Sequence, residues 1–189
     1  QQAQWRNKAI SDLYEPGSVF KLITCAAALD AGAVTPDSQF VCAGKISVAG
    51  TRFRCANGHI HGLETLAQGL AASCNPCFIQ VGARLGKQAF CDYFAAFGLR
   101  EATGIDLPGE IRRSEYYTAV VIGGRLMQPY VVERITAPDV QVLHQAEPTV
   151  RRQVISDQTS QTMRSLMEGV VTGGTGKNGA VAGYRVGGK

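Results

Sequence analysis

The chain has 189 residues, enough for one domain or most of one and for a single sizeable core. Hydrophobic residues make up 45% and charged residues 18%, which excludes an intrinsically disordered chain. The net charge of +4 is too mild, and the basic pairs Arg112/Arg113 and Arg151/Arg152 are too scattered, for a nucleic-acid surface, so no nucleic-acid partner is expected.

In chain order, residues 1–15 are polar and carry the one Trp, Trp5. Pro16-Gly17-Ser18 breaks the chain and opens a predicted helix from Val19 to Ala31, with Leu22, Ala26 and Leu29 at helical spacing and Gly32 as its stop. Residues 40–55 alternate apolar and polar around Ala49-Gly50, which predicts a hairpin with Phe40, Cys42, Phe53 and Cys55 in its arms. Leu63 to Ala72 reads as a helix with Leu63, Leu66 and Leu70 on one face. Pro76 starts another helix, where its missing N–H costs nothing, and Gly86 ends it. A third runs from Gln88 to Phe97.

Residues 104–110 form a turn-rich loop, and strands are predicted over Tyr130–Pro138 and Val140–His144. Ser156 caps a helix that runs to Val171. After a Gly-rich loop at 173–179, Ala180–Val186 reads as a strand leading into Gly187-Gly188-Lys189. Helices come first and strands late, without a βαβ rhythm, so the fold class is α+β, an antiparallel sheet flanked by helices. The helical part spans about 16–110 and the sheet side about 118–189.

Three short elements offer chemistry. Ser18-Val19-Phe20-Lys21 puts a hydroxyl and an amine on one helix face. The hydroxyl is a poor nucleophile until a base takes its proton. A Lys serves as that base only when neutral, which burial of its ammonium favours. The plain alternative is an N-capping Ser beside an exposed Lys. Ser73-Cys74-Asn75 lies at a helix–helix junction, where a second hydroxyl can relay a proton and an amide can hold a carbonyl; helix capping is again the plain alternative. Gly187-Gly188-Lys189 closes the predicted strand, where small residues admit a ligand and a Lys can pair with a carboxylate.

Other patterns carry less. Gly174-Thr-Gly176-Lys-Asn-Gly179 matches G-x-G-x-x-G but follows a helix, so it lacks the strand context of a dinucleotide site. Six cysteines exceed a typical cytosolic domain and fall short of a disulfide scaffold. Cys25 reads as a buried small hydrophobe. Cys74-x-x-Cys77, with Cys42, Cys55, His59 and His61, hints at zinc, but structural sites usually use two close pairs, and Cys77 falls in an apolar helix. The expectation is therefore no metal and no cofactor, with unpaired thiols or one Cys42–Cys55 disulfide. A zinc-stabilised interaction module is the alternative from a different class.

S-x-x-K, S-x-N and a strand-terminal Lys, in that order, form the active-site set of the penicillin-recognising serine enzymes. The surrounding residues sharpen the match: Arg6-Asn7, Tyr14-Glu15-Pro16-Gly17-Ser18-Val19-Phe20-Lys21, Gly58-His59, Ser73-Cys74-Asn75-Pro76, Thr103 through Glu110, and Gly176-Lys177 leading to Gly183 through Lys189. From about Trp5 to Lys189 the chain resembles the transpeptidase domain of penicillin-binding proteins. It looks most like the monofunctional class B members of the division or sporulation type in Gram-positive bacteria.

The resemblance implies a serine β-lactamase/penicillin-binding-protein-like fold and peptidoglycan D-Ala-D-Ala transpeptidase activity. Ser18 would attack the penultimate D-alanine carbonyl of a stem peptide and Lys21 would act as base. Ser73 and Asn75 would shuttle a proton and position substrate. Lys189 would match the Lys of the K-T-G motif and anchor the terminal carboxylate. The expected partners are peptidoglycan stem peptides, β-lactam antibiotics and a lipid-linked glycosyltransferase. The expected location is the extracytoplasmic face of the bacterial membrane, held by an anchor outside this segment, since no apolar run here reaches the roughly 18–20 residues needed to span a bilayer.

Three departures from the family stand out. The Thr-Gly after the motif Lys is absent, strands that precede Trp5 in the family are absent, and Arg112 to Ile122 reads as if joined across gaps. A β-lactam-hydrolysing relative, for which Glu64, Glu101 and Glu110 are the mid-chain carboxylates, and a β-lactam sensor remain the same-fold alternatives.

Overall fold

The structure is a computed structural model that describes residues 7–12, 15–110 and 117–189. After a single turn, α1 (Lys8–Ser11), the chain reaches Gly17, whose φ of +55° turns it into a 3-10 turn over Gly17–Phe20. That turn runs directly into α2 (Lys21–Asp30). Leu22 through Ala28 are all buried, so α2 is a central helix enclosed on every side.

Around α2 stand α4 (Asn75–Leu85), α5 (Lys87–Ala96) and α6 (Asp157–Gly173). Pro76 sits in the first turn of α4, and Gly86, at φ +83°, ends it and opens α5. Ser156 caps α6 by accepting from the Thr159 N–H at 3.1 Å. Asp30 ties the end of α2 to α6 and α5, accepting from the Ser156 N–H at 2.7 Å and the Tyr93 hydroxyl at 2.7 Å. The short α3 (Leu66–Ala71) packs on α6 and α4.

Strands occur as four antiparallel pairs rather than one broad sheet. β1 (Gln39–Cys42) pairs β4 (Gly62–Thr65), and β2 (Lys45–Val48) pairs β3 (Thr51–Arg54). Further on, β5 (Arg125–Met127) pairs β8 (Val150–Gln153), and β6 (Arg134–Thr136) pairs β7 (Val142–Gln145). The result is an α+β fold with antiparallel strands beside a helical core.

Several sequence expectations shift. Ala49-Gly50 does turn a hairpin, but its arms are β2 and β3; Phe40 and Cys42 lie in β1, opposite Glu64 and Gly62. Leu63 has helical spacing yet sits exposed in β4, and the helix starts at Leu66 behind a capping box of Thr65 and Gln68. β5 and β8 were not expected, and the strands around 130–145 are shorter than predicted. Residues 180–186 form no strand among the described residues; Gly188 N–H instead bonds the Met167 carbonyl on α6 at 3.1 Å. Part of the expected joint between Arg112 and Ile122, residues 111–116, lies outside the described residues.

Candidate active site

Ser18 lies in the 3-10 turn and Lys21 is the first residue of α2, so the two share a face. Lys21 Nζ reaches Ser18 Oγ at 3.2 Å and Ser73 Oγ at 3.2 Å. It also donates to the Ser73 carbonyl at 2.7 Å and to Asn75 Oδ1 at 2.6 Å. The Lys21 amine thus joins Ser18, Ser73 and Asn75, three of the four other residues that the motif order singled out.

The junction between α3 and α4 makes this geometry. Ser73 takes a left-handed φ of +58°, a costly conformation for a side chain with a Cβ. Its N–H bonds the Leu70 carbonyl at 3.1 Å and the next N–H, of Cys74, bonds Gly69 at 2.9 Å, so the αL residue closes α3 as a glycine ordinarily would. Cys74 then caps α4 through its sulfur, accepting from the Cys77 N–H at 3.4 Å. Asn75 donates its Nδ2 to the Arg54 carbonyl at 2.9 Å, which leaves Oδ1 for Lys21. Arg54 was not legible as a site residue, because it acts through its backbone.

Burial pulls the Lys21 ammonium below its ordinary pKa, against the opposing influence of Cys74, Cys55 and Cys77. The Phe78 ring lies 5.8 Å from Nζ, and Phe20 packs on Phe90 and Phe94 to form an apolar wall beside it. Burial first, and the charge of Lys21 second, bring the Lys189 pKa to about 8. The segment that carries Lys189 rests on α6. A Cβ at Gly187 would meet the Glu168 nitrogen at 3.2 Å, and Arg185 forks onto the Glu168 carboxylate at 2.9 and 2.6 Å. Gly187 thus has a packing reason to be small.

All six cysteines are unbridged, including Cys42 and Cys55. The sequence spacing argued against a metal-ligand set; the fold nonetheless assembles one. Ligand atoms of Cys42, Cys55, His61 and Cys74 all lie within 4.8 Å of one another. Neither Cys77 nor His59 belongs to this group. Cys77 packs beneath Gly69, where a Cβ would collide with its sulfur.

Comparison with known proteins places this geometry. The family described as penicillin binding protein transpeptidase domain matches residues 1–114 and 111–189, two segments that meet where the joint was expected. Stage V sporulation protein D of Bacillus subtilis is 37% identical over 215 aligned positions, which cover 97% of this chain and 33% of that protein. Peptidoglycan D,D-transpeptidase PbpA of Mycobacterium tuberculosis is 30% identical over 97% of this chain and 44% of its own. The chain therefore spans about a third to under half of the length of these curated relatives. Among solved structures, the D,D-transpeptidase domain of a peptidoglycan glycosyltransferase from Eggerthella lenta superposes with a TM-score of 0.86 at 26% identity, over 97% of this chain and 55% of that one. An imipenem acyl-enzyme complex of penicillin-binding protein A from M. tuberculosis does so at 0.82 and 27%, over 96% and 49%. The chain belongs to the penicillin-binding-protein transpeptidase domain family, in its class B branch.

Proposed function

We propose that this chain carries the acyl-enzyme site of a peptidoglycan D-Ala-D-Ala transpeptidase. The observation that carries the reading is the single lysine amine within hydrogen-bond reach of Ser18 Oγ, Ser73 Oγ and Asn75 Oδ1. Lys21, whose charged form burial disfavours, takes the Ser18 proton as Oγ attacks the penultimate D-alanine carbonyl. The tetrahedral oxyanion forms beside the Ser18 N–H, at the start of a helical turn. Ser73 passes a proton to the leaving D-alanine amine, and Lys189 pairs with the substrate's terminal carboxylate. An amine from a neighbouring stem peptide then resolves the ester. A β-lactam meets Ser18 in the same way and stays attached.

The names of the relatives support this reading, since one is a D,D-transpeptidase and another is an imipenem acyl-enzyme. Hydrolysis is less well served. Glu64 lies against His61 and Cys74, Glu101 pairs with Arg151 and Arg152, and Glu110 accepts from the Thr103 and Gly104 backbone. Stem peptides place the site on the extracytoplasmic side of the membrane. No helix among the described residues is long and apolar enough to cross a membrane. A lipid-linked glycosyltransferase remains a partner implied by resemblance.

The test supplies a D-Ala-D-Ala stem peptide with an acceptor amine and follows free D-alanine and cross-linked product. The reading expects both in equal amount when acceptor saturates. D-alanine release that stays at one equivalent, with no cross-link and no turnover, would move the chain to the sensor class.

A further inference from the structure

Beside the catalytic set, three buried thiols and one imidazole converge from separate elements. Cys42 ends β1, Cys55 follows β3, His61 precedes β4, and Cys74 caps α4. Cys55 Sγ lies 3.7 Å from His61 Nδ1 and 3.8 Å from Cys74 Sγ. A tetrahedral zinc with Zn–S of ~2.3 Å and Zn–N of ~2.0–2.1 Å places neighbouring ligand atoms roughly 3.5–3.8 Å apart. A disulfide needs the sulfurs ~2.05 Å apart, so the spacing suits coordination better than a bridge. Soft thiolates with one imidazole, four in number, select zinc among common divalent ions.

We propose that Cys42, Cys55, His61 and Cys74 form a structural zinc site that clamps the β2–β3 hairpin to the Ser73-Cys74-Asn75 turn. Binding takes Zn²⁺ and releases the three thiol protons to solvent. Two further features fit. Of the eight strand residues in β2 and β3, seven are exposed and only Ile46 is half-buried, so the hairpin has no core of its own. Its roots are Cys42 and Cys55, the latter held by its N–H to the Gly44 carbonyl at 2.9 Å. Cys74 stands between Ser73 and Asn75, and Asn75 bonds the carbonyl of Arg54, next to Cys55. The ion therefore fixes both sides of the contact that orients Asn75 toward Lys21.

The metal site stands independently of the transpeptidase reading; its effect on acylation rests on that reading, and the two are measured separately. Elemental analysis of the purified protein, kept reduced and free of chelator, is expected to find one zinc per chain. Cobalt exchanged for it is expected to show the intense visible bands of a tetrahedral thiolate site. Cys42→Ser and Cys55→Ser are each expected to weaken zinc by more than about 100-fold, while Cys91→Ser, away from the cluster, keeps it. If a ligand variant fails to fold, chelator competition on the unmodified protein, followed by zinc add-back, supplies the same affinity. No zinc taken up by reduced protein, an octahedral cobalt spectrum, or a mapped Cys55–Cys74 cystine that resists metal loading would overturn the site. Removing zinc is expected to slow fluorescent-penicillin acylation by about tenfold or more, reversibly. A rate indifferent to removal would overturn the clamp on Asn75.

Discussion

On one side of Asn75, α2 and α4 bury Leu22, Ile23, Cys25, Ala26, Phe78 and Val81; on the other, the β2–β3 hairpin buries no residue fully. Each large apolar side chain removed from water on the helical side contributes about 1.5–3 kcal/mol. That burial anchors the helix that carries Lys21 and disfavours the charged form of its amine. The hairpin has no such term, yet the Arg54 carbonyl that orients Asn75 lies at its root. The site thus joins a wall held by packing to a wall held by polar and thiol side chains at its base. Changes on the packed wall should alter chemistry or stability outright, and changes on the other should alter alignment.

Lys21→Ala on the packed wall carries the largest effect. Losing the base is expected to slow acylation by fluorescent penicillin by about 10²–10⁴-fold, with the melting transition kept. A loss under tenfold would mean another group takes the Ser18 proton. Asn75→Ala, at the meeting of the two walls, is expected to slow acylation by about 10–10²-fold by freeing Lys21 to rotate. An unchanged rate would show that Ser73 alone positions the amine.

The third prediction concerns pH. On the proposed roles, Lys189 would hold its proton, and so a substrate carboxylate, only below about 8, whereas Lys21 would serve better as a base as pH rises. The second-order acylation rate should climb on the acid side and fall as pH passes about 8. Lys189→Arg keeps its charge and should push the falling limb to higher pH. A limb fixed in place in that variant would assign it to another group. Stability runs the opposite way to the rate. The unfolded chain holds more protons than the folded one between about 8 and the ordinary Lys value of 10.5, so stability should rise with pH across that window.

Asp30→Asn gives the smallest effect and lies away from the chemistry. Burial raises the Asp30 pKa, but the bonds from Ser156 and Tyr93 outweigh it and leave the carboxyl below its ordinary value. Its contribution is present above the ordinary Asp pKa and fades as pH falls through the lowered one. Replacement is expected to cost about 1–2 kcal/mol, read as a lower Tm at neutral pH with acylation unchanged. No change in Tm would show that α2 and α6 are joined by packing alone.

What could be read from sequence depended on how local the signal was. Pro76, Gly86 and Ser156 marked helix ends through single-residue geometry, and the structure has those ends. Ser18, Lys21, Ser73 and Asn75 were singled out by order and context, but that Ser18, Ser73 and Asn75 meet on the Lys21 amine is long-range information that only the fold supplies. Leu63 misled because helical spacing outvoted the Thr65–Gln68 capping box two residues on. Cys42, Cys55, His61 and Cys74 are 13, 6 and 13 residues apart, so no local pair announces a metal. Strand pairing and the α3–α4 turn bring them together, and that is long-range information.

The most direct test of the account is intact-mass analysis of the purified protein after incubation with a penicillin, followed by peptide mapping, beside Ser18→Ala. The account predicts one long-lived adduct per chain, mapped to the peptide bearing Ser18 and missing from the variant. An adduct that persists in Ser18→Ala, or a folded protein that takes up none, would contradict it.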